Sequence, residues 1–103
     1  MSAKIVLDYR VEVLKGVLEA HIKVYEIPGN RKFPDGIKLR CVLIDIQAQV
    51  PMLLLDNHEP FGYHLHTRLP YDKNQRVKVD VKNHEEAILL FLSEARKLVK
   101  HEV

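Results

Sequence analysis

Cysteine is almost missing from this sequence, with Cys41 the only one. A lone thiol forms no internal disulfide and builds no cysteine-based zinc cage, so two common props of small folds are excluded. Cys41 stands in an apolar, strand-like run, where a cysteine ordinarily acts as a small buried hydrophobe. No apolar run approaches the ~20 residues needed to cross a bilayer. The opening Met-Ser-Ala-Lys-Ile-Val-Leu-Asp lacks the long apolar region of a signal peptide, so cytoplasmic residence is the expectation. A strong excess of either charge is also missing, since 16 basic and 14 acidic residues leave a formal net charge of +2. That balance does not demand a nucleic-acid partner, yet it leaves room for a local basic face. Repeats, low-complexity tracts and an interdomain linker are absent as well.

What is present suits a single folded domain over residues 1–103, with 47% hydrophobic and 29% charged residues. Such a supply of apolar side chains excludes a disordered chain. Ile5, Leu7, Tyr9, Val11 and Val13 alternate with polar neighbours, the period of a half-buried strand. After Lys15-Gly16 the alternation resumes with Leu18, Ala20, Ile22 and Val24 opposite Glu19, His21, Lys23 and Tyr25, which predicts a hairpin. Turn residues around Pro28-Gly29-Asn30 and Pro34-Asp35-Gly36 bracket a basic loop with Arg31 and Lys32. Ile37 to Ile46 is β-branched and apolar on both faces, as a central strand should be. Met52 to Leu55 is a further short run that Pro51 can start. Val77, Val79 and Val81 predict a final strand. Asn83 and Glu86 have capping-box spacing, and Ile88, Phe91, Leu92, Ala95, Leu98 and Val99 form one helical stripe. The fold expected is α+β: an antiparallel sheet of about five strands, hairpin plus meander, with a C-terminal α-helix packed on one face.

Between the apolar runs lies a polar segment, Asp56 to Arg68, dense in titratable and turn-forming residues. If it is extended, His64 and His66 project from one face, with Leu65 turned the other way and Arg68 sharing the histidines' side. One imidazole can take a proton and another can give one at cellular pH. Metal-free RNA cleavage needs those two groups and a cation to stabilise the crowded phosphate, which Arg68 could supply with its fork of donors. Asp56 could orient His58 or His64 and fix its tautomer, or accept from loop amides. Tyr63 or Tyr71 could stack on a base. Lys38 and Arg40, with Arg31 and Lys32, could form a phosphate-attracting rim or an ordinary solvated face. His21, His84 and His101 read as surface or helix-end residues.

The run Leu-Leu-Asp-Asn-His-Glu-Pro-Phe-Gly-Tyr-His-Leu-His resembles the signature of TumE-like toxins, small proteins encoded beside a helix-turn-helix antitoxin. The resemblance covers Ile37 to about Leu98 and, more loosely, the first hairpin. It rests on Asp56, Asn57, His58, Gly62, His64 and His66. Phe61 stands where the family often has a basic residue, and Tyr63 where it often has another histidine. The resemblance implies the toxin of a toxin–antitoxin module, with a helix-turn-helix antitoxin as partner.

The expectation is therefore a toxin that cuts RNA without a cofactor. Asp56, His58, His64, His66 and Arg68 would be catalytic, and Lys38, Arg40, Tyr63 and Tyr71 would contact substrate. Two other readings compete with it. One is a non-enzymatic module that inhibits by binding a cellular target or nucleic acid. The other is a metal-dependent hydrolase in which Asp56 or His58 completes a site begun by His64 and His66. The first hairpin leaves a possible sheet edge for a second copy or an antitoxin strand.

Overall fold

A computed structural model describes residues 4–29, 33, 36–57, 62–68 and 72–102, without the side chains of 67, 68, 72–75, 101 and 102. Six strands follow one another: β1 Lys4–Leu14, β2 Leu18–Glu26, β3 Ile37–Asp45, β4 Val50–Asp56, β5 His64–Arg68 and β6 Asp72–Lys78. Among the described residues a single helix, α1 His84–Glu102, follows. Each strand pairs antiparallel with its neighbour in sequence, so the sheet is a plain meander in the order β1 to β6. Short connections make that topology natural, because adjacent antiparallel strands need only a turn between them. Gly16, at a φ of 74°, makes the first turn in the left-handed conformation that costs a glycine least. At the β3–β4 turn, Asp45 accepts hydrogen bonds from the amides of Gln47 and Ala48, both at 3.0 Å. This is how a turn aspartate replaces missing backbone partners.

The register sorts the side chains onto two faces. Leu18, Ala20, Ile22 and Val24 of β2 share one face with Leu39, Cys41 and Leu43 of β3, with Leu53 and Leu55 of β4 and with Leu65 of β5. All are buried, and α1 closes over them with Ala87, Phe91 and Ala95. Those three are four residues apart, so they form one line along the helix. The helix lies across β1 to β4. Cys41 belongs to this core, where burial pushes its thiol up to about 12 from 9.0. It is an inert packing residue.

The helix begins at a capping motif close to the one expected. The Asn83 side chain accepts from the Glu86 amide at 2.9 Å. Glu86 accepts from the Lys82 amide at 3.0 Å, one residue earlier than the usual box.

Three elements differ from the sequence expectation. The sheet has six strands, because His64–Arg68, read as part of a polar segment, pairs between β4 and β6. The last strand runs Asp72–Lys78, so Val79 and Val81 lie beyond it, packed against the core. There the Val79 amide donates to the Tyr63 carbonyl at 3.0 Å, closing the β5–β6 pair at its end. Pro51 is inside β4, opposite Ile44, next to a register shift between Leu43 and Ile44. A bulge is where a strand tolerates a residue with no amide hydrogen.

Candidate functional site

The face opposite the helix is chemically different. Register sets Lys23 beside Arg40, Arg40 beside Asp56, Asp56 beside His64 and His64 beside Lys78. The next row holds His21, Val42, Leu54, His66 and Arg76. Directly opposed residues of antiparallel strands lie on the same face with their Cβ atoms about 5 Å apart, so each row is a set of neighbours. β1 extends the rows with Asp8 beside Lys23 and Arg10 beside His21, so all six strands contribute two rows of mainly polar groups to a single surface.

At its centre, Asp56, His64 and His66 bring one ligand-type atom each within 4.8 Å of one another. His64 is 1% exposed and His66 7%, whereas the Asp56 side chain is about a quarter exposed at 25%. The cluster therefore opens toward solvent on the carboxylate side. Each ring nitrogen of His64 has an oxygen close by. Its Nδ1 lies 2.8 Å from the Gly62 carbonyl, and its Nε2 lies 2.9 Å from Asp56 Oδ1. The His66 ring meets the His64 ring edge-on, with centroids 5.1 Å apart. Gly62, at a φ of 62°, turns the chain just ahead of β5 and aims the carbonyl that fixes His64.

Asn57, the neighbour of Asp56, has a structural task. Its Oδ1 accepts from the Leu39 amide at 2.9 Å, and its Nδ2 donates to the Ile37 carbonyl at 2.8 Å. Both bonds are made to β3, so the side chain continues the β3–β4 pairing beyond the last residue of β4. The end of β4, and with it Asp56, is anchored by this amide.

A hollow of about 360 Å³ on the same face is lined by His21, Lys23, Tyr25, Lys38 and Arg40 among others. The Lys38 ammonium sits 6.0 Å from the centroids of both Tyr25 and Phe33. Lys38 and Arg40 are exposed. Of the four residues named as a rim from the sequence, Lys38 and Arg40 reach the hollow, Arg31 and Lys32 lie outside the described residues, and Arg40 belongs to the row that carries Asp56.

Of the residues singled out from the sequence, Asp56, His64 and His66 come together, with Arg40 as the next neighbour in the row and Lys38 in the adjoining hollow. Tyr63 packs against the apolar core, one residue out of phase with the histidines. His58, Tyr71 and the Arg68 side chain lie outside the described residues. A register shift separates His66 from Arg68, and the arginine registered with His66 is Arg76. Arg76 was not foreseen, because β6 had been expected to start near Val77; Lys78 fell inside the expected strand and was not singled out. His21, read from the sequence as a surface residue, is part-buried, pairs with Glu19 and lines the hollow.

Fold and site together define an α+β protein with a two-histidine, one-carboxylate cluster on an antiparallel meander. Comparison with protein-family models, with curated proteins and with solved structures finds no match. Among the described residues, no helix is long and apolar enough to cross a membrane.

Proposed function

We propose that this protein is the toxin of a toxin–antitoxin module and that it cuts RNA at the Asp56–His64–His66 cluster. The observation that supports this reading is the convergence of those three side chains within 4.8 Å on a face where Lys23, Arg40, Arg76 and Lys78 stand in the same two rows. Phosphodiester cleavage needs a place for a crowded, doubly negative phosphate and a group that moves a proton beside it. The cations offer the first. The cluster offers the second, reached past the partly exposed Asp56.

Lys38, Arg40 and Tyr25 would hold the nucleotide next to the scissile bond. A cationic hollow with an aromatic ring takes phosphate and base together, with little sequence preference. The resemblance to TumE-like toxins adds a helix-turn-helix antitoxin that restrains the activity. Expression of the chain should arrest growth, and purified protein should cleave RNA. His66→Ala and Asp56→Asn should abolish both while circular dichroism stays native. Equal toxicity in those variants would remove the cluster from the mechanism.

A further inference from the structure

We propose that Asp56 Oδ1, His64 Nε2 and a ring nitrogen of His66 together bind one first-row divalent metal ion, zinc foremost. The proposal deepens the reading of this cluster as the cleavage centre, with water held on the ion taking the proton-moving role from the side chains, and metal binding can be measured without RNA.

The argument starts from His64. The Gly62 carbonyl can only accept, so the 2.8 Å contact places a proton on His64 Nδ1. A neutral ring then presents a lone pair at Nε2, which lies 2.9 Å from a carboxylate oxygen. Two lone pairs at that distance need a positive centre between them, either a second ring proton or a metal cation. A proton bridges two atoms. Here a third donor, on His66, lies within 4.8 Å of both.

Three features match a metal site. Zinc and its neighbours bind imidazole nitrogen and carboxylate oxygen at about 2.0–2.2 Å, so ligand atoms about 3 Å apart can share one ion. The His64–Asp56 separation already meets that spacing, and the His66 donor stands within 4.8 Å of both. A histidine that ligates a metal commonly donates its other ring N–H to a backbone carbonyl, which fixes the tautomer and aims the ring. The Gly62 carbonyl does this for His64. Finally, the histidines are buried while the carboxylate side is open. Three protein ligands with an open side is how a catalytic rather than a structural ion is held. Two histidines and one carboxylate suit zinc, iron, manganese or cobalt, and they are a ligand set that holds catalytic zinc.

Tag-free protein titrated with zinc, and with cobalt(II) as a visible probe, tests the proposal. Wild type should bind one equivalent, give cobalt d–d absorption bands and melt at a higher temperature with metal. Asp56→Asn should weaken binding by at least ~10-fold, and His64→Ala or His66→Ala by ~100-fold or more. His21→Ala should leave binding unchanged. If His64→Ala does not fold, the near-isosteric Asp56→Asn and the wild-type cobalt spectrum decide the matter. No binding of either metal at ~100 μM would overturn the proposal, and so would binding indifferent to Asp56→Asn and His66→Ala. RNA cleavage that survives exhaustive chelation would remove the metal and leave the ribonuclease reading intact. Stoichiometric metal with uncut RNA would do the reverse.

Discussion

The two faces of the sheet are built from the same strands and are governed by opposite rules. On the helix side, every second residue of β2, β3 and β4 is apolar, and α1 seals them with Ala87, Phe91 and Ala95. Stability there comes from area removed from water and from close packing. On the other side, the same strands offer Lys23, Arg40 and Asp56, which continue through His64 to Lys78. Val42, at 7% exposure, is the buried apolar residue of this side and lies outside the main core cluster. The difference teaches that the strand period supplies two independent surfaces. One can be spent on folding, which leaves the other free to carry polar groups that a packed core would not tolerate.

The comparison can be broken most sharply at the cluster. His66→Ala should lower RNA cleavage by ~10²–10⁴-fold while leaving the unfolding transition cooperative, which activity and urea titration together would check. The opposite outcome is expected across the sheet. Phe91→Ala should cost about 3–5 kcal/mol in urea unfolding and leave the cleavage rate of the molecules that remain folded unchanged. Asn57→Ala sits between the two faces. It removes the acceptor of the buried Leu39 amide and a donor to the part-buried Ile37 carbonyl, so a loss of about 1–3 kcal/mol is expected, together with weaker metal binding as Asp56 loses its anchor. At the helix start, Asn83→Ala should cost about 1 kcal/mol with no effect on the cluster.

Cys41 gives the smallest effect at neutral pH, which is none. Below pH 9.0 its thiol is neutral in the folded and the unfolded chain, so it leaves stability independent of pH. Above that, the unfolded chain releases the proton first, and stability falls as the pH rises toward about 12. Cys41→Ala should flatten this alkaline limb of the stability curve. A thiol reagent at neutral pH should label the wild type only when it unfolds.

The alternation of β2, the apolar run of β3, the capping residues and the stripe of α1 were all legible because each is a local pattern with a period of its own. β5 was not legible as a strand. His-Leu-His has the right alternation, but only Leu65 is apolar, so hydrophobicity alone does not mark it. The start of β6 failed for a similar reason: Asp-Lys-Asn-Gln is poor in strand formers, and pairing with β5 overrides that weak preference. Arg76 was missed along with it.

Sequence alone determined that an antiparallel sheet and a C-terminal helix make the fold, and it put Asp56, His64 and His66 among the residues to watch. Only the tertiary structure decided which arginine is registered with His66, that Asn57 is a brace and Tyr63 a packing residue, and that Asp56 meets His64 at 2.9 Å. The physical reason is range. Periodicity and turn chemistry act over a few neighbouring residues, whereas a shared site depends on cross-strand register, which pairing across the whole sheet sets.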